Sequence, residues 1–154
     1  MKSIKTLLAA AILAGLSATA QVQAASAPPL TKVEVYAVVS SDCNVELTSY
    51  QQQTTTCDHG GALLRVFVRE IGYSNDATRH AWMRGNELPR SAIVSTTPIC
   101  WIGTTYFLPC PVGVSVNGFI YEYKLDGYQV GYFTYQSQSI NAPWNTMSTQ
   151  ILIW

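Results

Sequence analysis

Charge is the scarcest thing in this 154-residue chain. Asp, Glu, Lys and Arg make up only 12%, with nine basic residues against nine acidic ones and a formal net charge of zero. Globular sequences usually carry about a quarter. Without a basic excess there is nothing to hold a nucleic-acid backbone. With 48% hydrophobic residues the chain is also too apolar to stay disordered. No Gly-x-Ser-x-Gly elbow is present, which weakens a serine-nucleophile reading. No pair of His at helical spacing is present either, which removes the metalloprotease motif. The longest uncharged apolar run, Thr6 to Ala20, is shorter than the roughly 20 residues a spanning helix needs.

That run reads as an export signal. Lys2 and Lys5 precede it, and Val22 and Ala24 place small residues at the −3 and −1 positions of a cut after Ala24. A basic start, a short apolar stretch and a small-residue site make a secretory signal peptide. A cut after Ala20 also fits, and no Cys nearby suggests a lipid-modified N-terminus. Residues 1–24 are therefore expected as a signal peptide, 25–30 as a loose lead-in and 31–154 as a single β domain. Both lysines leave with the signal, so the remaining chain carries seven basic residues against nine acidic ones. The expected destination is the periplasm or the extracellular medium.

Four cysteines follow: Cys43, Cys57, Cys100 and Cys110. An even count in an exported chain reads as two disulfides. Of three possible pairings, Cys43 with Cys57 and Cys100 with Cys110 close the shortest loops. A zinc site would favour Cys pairs two to four residues apart, and none exists. No metal or cofactor is expected, and no cysteine is left as a nucleophile.

The rest alternates as strands do. Val33, Val35 and Ala37 alternate with Glu34, Tyr36 and Val38, a period of two rich in β-branched residues. Val45 to Thr56 is polar and suits an exposed strand or hairpin. In Ala62 to Ile71, Leu64, Val66, Val68 and Glu70 form the more apolar face. Gly72 to Arg90 is irregular and expected mostly as loop, with a helical turn near Ala77 to Met83; Ser91 to Ser95 reads as another strand. Asn117–Gly118 and Asp126–Gly127 are hairpin signals. They predict a three-stranded meander from Pro111–Val116, Phe119–Leu125 and Tyr128–Gln136. Thr149 to Trp154 closes the chain as a final strand. The fold class is all-β, a single antiparallel β-sandwich or open barrel with two disulfides. A membrane β-barrel would need about eight regular ten-residue strands, more than the irregular stretch leaves room for.

Candidate site residues fall in four groups. His59, beside Asp58 and followed by Gly60 and Gly61, could act as a general base, and His80 is the only other histidine. If these met, an acid–base site could form; the competing reading is a turn beside a disulfide. Glu122 shares its side of a strand with Lys124, which points to a solvated pair rather than a glycosidase acid. Seventeen residues are Phe, Trp or Tyr, none before residue 25. Trp82, Trp101 and Trp144 lie in or beside predicted loops, where aromatic rings can stack on sugars or anchor a protein. Arg79, Arg84 and Arg90 could grip an anionic ligand.

Two strings carry a resemblance. Cys57 to Gly61 reads Cys-Asp-His-Gly-Gly, and Asn141 to Ile151 has Pro143, Trp144, Asn145, Thr146, Met147 and Ser148 at its centre. With the Asn117–Gly127 region they resemble the YolA-like family of small secreted bacterial proteins, a domain of unknown function. The resemblance implies secretion and a single domain and transfers no catalytic residue. The reading is a secreted, disulfide-stabilised β domain that binds a cell-surface, carbohydrate or protein partner, with no transmembrane helix after the signal and no nucleic acid; binding is favoured over catalysis, and the enzyme question stays open. The alternatives are a small hydrolase using His59 and an acid such as Asp58, and a secreted toxin or antagonist.

Overall fold

The computed structural model describes residues 26–49, 51–128 and 130–154. The expected signal peptide lies outside the described residues. Ten strands form two antiparallel sheets, and no α-helix occurs among the described residues. The larger sheet contains β1 (Lys32–Ser40), β2 (Asn44–Leu47), β3 (Leu64–Ile71), β6 (Ile93–Ile102), β7 (Thr105–Phe107) and β8 (Gly118–Lys124), in the order β2-β1-β3-β8-β6-β7. The smaller contains β4 (His80–Met83), β5 (Asn86–Glu87), β9 (Gly131–Gln138) and β10 (Thr146–Ile153), in the order β10-β9-β4-β5. The all-β class and both disulfide pairs, Cys43–Cys57 and Cys100–Cys110, match the sequence reading.

The expected meander is not what forms. Pro111–Val116 is loop, and β8 and β9 belong to different sheets. Asp126–Gly127 is thus a crossing between sheets rather than a hairpin turn. The reason is aromatic bulk on one face of β8. Tyr123 packs edge-on against Phe133 and Tyr135 of β9, at ring separations of 5.5 and 6.0 Å. Stacking β8 over β9 face to face buries those rings, which edge-to-edge pairing could not do. Asp126 holds the crossing by accepting from the Leu64 N–H (3.2 Å) and from the Arg65 guanidinium. The expected Glu122–Lys124 pair is replaced by two others: Glu122 meets Arg65 at 3.4 Å, and Lys124 meets Asp126 at 3.4 Å.

The stretch expected as loop also differs. Asp76–Thr78 is a single 3₁₀ turn, and then β4 begins, with Ala81 and Met83 buried and His80 and Trp82 facing outward. Four residues are too few for periodicity to announce a strand. In the lead-in, Leu30 is buried and its N–H donates to Ser139 Oγ (3.0 Å).

One core cluster lies between the sheets, built from Val35, Val38, Leu64, Val66, Val68, Tyr123, Phe133, Tyr135, Ile151 and neighbours. A β-bulge between Val35 and Ala37 shifts the β1–β3 register. An extra residue reverses which side chains point inward beyond it. Val33 and Val35 face the core before the bulge, and Val38 and Ser40 after it. That reversal carries the Ser40 hydroxyl inward.

Candidate functional site

Ser40 ends β1, and β2 returns beside it with Glu46 opposite Val38. Glu46 therefore shares the inward face with Val38 and Ser40. The segment after β2 folds back over this face, held to it by the Cys43–Cys57 disulfide. It then runs alongside the end of β10: Thr55 N–H donates to Leu152 O (2.9 Å), Leu152 N–H to Gln53 O (2.8 Å) and His59 N–H to Trp154 O (2.8 Å).

These restraints seal the His59 ring completely, at 0% exposure. Its Nδ1 lies 3.1 Å from Ser40 Oγ and its Nε2 3.1 Å from Glu46 Oε2. Glu46 also accepts from the Thr56 N–H (2.8 Å), the Cys57 N–H (3.2 Å) and the Gln52 amide (2.7 Å). Burial pushes the Glu46 carboxyl up, but the donors from Thr56, Gln52, His59 and Cys57 outweigh it and hold the group below its ordinary range. An ionised carboxylate only accepts, so in the neutral ring Nε2 carries the proton and Nδ1 accepts from the Ser40 hydroxyl.

The cluster has the residue types of a serine–histidine–acid triad with the two ring nitrogens exchanged, serine on Nδ1 and acid on Nε2, and the serine is closed off. Ser40 is 4% exposed, its oxygen also accepts from the Cys43 N–H (3.1 Å), and neither Ser40 nor His59 lines either of two surface depressions. As arranged, the cluster locks the disulfide-closed segment in place. The acid on His59 is Glu46, not Asp58. Asp58 is exposed and caps the Gly60 N–H (3.1 Å). What approaches the glycines is the Asp42 carboxyl: a Cβ at Gly61 would sit 2.7 Å from its oxygen. His80 is not brought to this cluster. It lies on β4, pairs with Glu87 (2.6 Å) and stacks on Trp82 with ring centroids 5.8 Å apart.

Arg79 is not free to grip an anion. Its guanidinium lies 3.9 Å over the Tyr121 ring and donates to Tyr121 Oη (2.7 Å), Ser74 Oγ (2.8 Å) and Asp76. Burial opposes the Arg79 charge, but Tyr135, Tyr121, Glu70 and Asp76 outweigh it and keep the group protonated. Nearby, the fully buried Glu70 of β3 accepts from Tyr135 Oη (2.6 Å), Ser137 Oγ and Ser74 Oγ (2.6 Å), with Arg79 at 3.8 Å. This network bridges the sheets through the core. Arg84 is exposed in the β4–β5 turn at φ 55°, and Arg90 donates to the Asp76 carbonyl (2.9 Å). Trp101 is 39% exposed beside Tyr106, and Trp144 is 58% exposed in the turn before β10. The three tryptophans named from the sequence therefore sit in three separate places.

The accessible feature is a polar face that the sequence reading missed. A groove of about 840 Å³ runs between β10, the 51–54 segment and β1. Gln51, Gln53, Thr134, Ser148 and Gln150 line it, together with Tyr132, which is 51% exposed. Strand register extends the face across the smaller sheet. Trp82, Thr134 and Gln150 lie side by side, as do His80, Gln136 and Ser148. Alternation puts all of these outward, opposite Ala81, Met83, Phe133 and Tyr135. The Gln51–Gln53 run and the alternation of β9 were the available signals.

These observations define a disulfide-braced all-β domain with a sealed Ser–His–Glu cluster and an open polar sheet face. The chain belongs to the family described as a domain of unknown function, DUF4879, whose profile matches residues 23–153. No curated protein and no solved structure matches it.

Proposed function

We propose that this is a binding protein, exported as the YolA-like resemblance implies, and that its ligand is a carbohydrate held on the outer face of the smaller sheet. The observation that carries this reading is the pairing of outward-facing rings with amides and hydroxyls on one rigid surface. Tyr132 and the Trp82–His80 stack flank Thr134, Gln136, Ser148 and Gln150. Sugars offer C–H faces that lie on aromatic rings and hydroxyls that exchange hydrogen bonds with uncharged amides. A strand-borne face is pre-organised, so little ordering cost opposes binding. The two disulfides suit an oxidising compartment.

A glycan-array screen with the purified protein tests this. Tyr132→Ala and Trp82→Ala should each weaken binding about tenfold, since a ring at a binding centre contributes roughly 1–2 kcal/mol. Trp101→Ala, on β6 of the larger sheet, should leave it unchanged. Binding that survives loss of both rings, or no binding to any glycan, would count against the proposal.

A further inference from the structure

Cys43, Glu46, Cys57 and His59 each offer one ligand atom, and these four atoms lie within 4.8 Å of one another. The histidine and carboxylate that lock this segment also stand within reach of both sulfurs. We propose that reduction of Cys43–Cys57 converts this corner into a tetrahedral Cys₂HisGlu site for a borderline metal ion, zinc above all.

The donor set suits that ion. Zinc takes four ligands from thiolate, imidazole and carboxylate, at about 2.3 Å to sulfur and 2.0–2.2 Å to nitrogen or oxygen. His59 Nε2 and Glu46 Oε2 are already 3.1 Å apart, close to a tetrahedral edge built from such bonds. The two Cys Cα atoms are 6.2 Å apart, and rotation about the Cα–Cβ bonds is enough to separate the sulfurs around an ion. The sequence concealed the site because the two cysteines are 14 residues apart, outside the short spacing of zinc motifs.

The step balances with a dithiol as reductant. The dithiol gives two electrons and two protons and leaves as its own disulfide, while Cys43 and Cys57 become thiols. Zinc then displaces both thiol protons to solvent. The His59 proton moves from Nε2 to Nδ1, so Nε2 becomes a ligand with no net proton change. Ser40 then changes from donor to acceptor, since its hydroxyl can serve either role at Nδ1. It becomes the outer partner that orients a metal-bound imidazole. The site carries one net negative charge: two thiolates and a carboxylate against Zn²⁺.

Cobalt(II) is the spectroscopic probe and zinc the competitor, applied to the full chain with and without a dithiol. The reduced protein should bind one cobalt with the ligand-field bands of a tetrahedral thiolate site, and zinc should bleach them. The oxidised protein should show none. Ser40→Ala should lower metal affinity about 10- to 100-fold, and the Cys100→Ser/Cys110→Ser double variant should retain the site. A reduced protein that stays folded but shows no tetrahedral cobalt overturns the proposal. So does a spectrum that persists in Cys43→Ser/Cys57→Ser, or a reduced chain that unfolds even with zinc present.

Discussion

Replacing Glu46 measures how much the sealed cluster contributes to stability. The side chain is 9% exposed and accepts from Thr56, Cys57, Gln52 and His59. In Glu46→Ala the Gln52 amide and the Thr56 N–H can turn to water, at about 0.5–1 kcal/mol each. His59 Nε2–H cannot, because the ring is fully buried. An unsatisfied buried donor costs about 1–3 kcal/mol, partly relieved if the proton moves to Nδ1 and donates to Ser40. The expected loss is about 2–4 kcal/mol out of a total of about 5–15, or roughly 6–16 °C in Tm for a domain of this size. Glu46→Gln keeps one acceptor and offers His59 a donor after the tautomer change, so it should cost only about 1–2 kcal/mol.

The pH dependence has a definite sign. The folded carboxyl titrates below its ordinary value of 4.5, so the unfolded chain binds more protons in the window between the two values. The stabilisation is complete above the unfolded value and fades as pH falls through the lower folded one. The gap between the native protein and Glu46→Gln should be flat from pH 7 to pH 5 and close in more acid solution. Urea denaturation with the disulfides intact measures both. An alanine variant within about 0.5 kcal/mol of the native protein, or a gap that widens in acid, refutes the reasoning.

Three further outcomes follow from the core and turns. Gly118→Ala should destabilise by at least about 2 kcal/mol, because a Cβ there overlaps the Glu70 carbonyl and backbone on both sides is fixed by the sheet; thermal unfolding reads it. Arg79→Ala should cost about 3–5 kcal/mol by leaving the buried Glu70 without its cation, and it should lower stability without changing glycan binding, which would set it apart from a ligand-gripping arginine. Arg84→Asn should stabilise by about 0.5 kcal/mol, since Arg84 and Gly85 both have positive φ in a two-residue turn that favours Asn-Gly; a loss in denaturant titration would mean that the Arg84 stem packs more than the turn gains.

Much of the frame was legible before folding. The alternation in Leu64 to Glu70 named the buried face of β3 correctly, down to the charged residue at its end. The short cysteine spacings gave the pairing that forms. The errors cluster where a residue's partner is remote. Asp126–Gly127 has the composition of a hairpin turn, and only the aromatic packing of Tyr123 on β9 makes it a crossing. Asp58 is next to His59 in the chain, yet the acid that reaches the ring is Glu46, thirteen residues away.

By itself, then, the sequence determined what local physics can decide: strand periods, turn chemistry, the all-β class and the disulfide loops. Tertiary structure decided which elements meet. One bulge in β1 turned Ser40 inward, and the fold-back of a polar segment sealed His59. Strand register laid Tyr132, Trp82 and the glutamines on one face. Each of these depends on contacts between residues far apart in the chain, and period and propensity are blind to such distances.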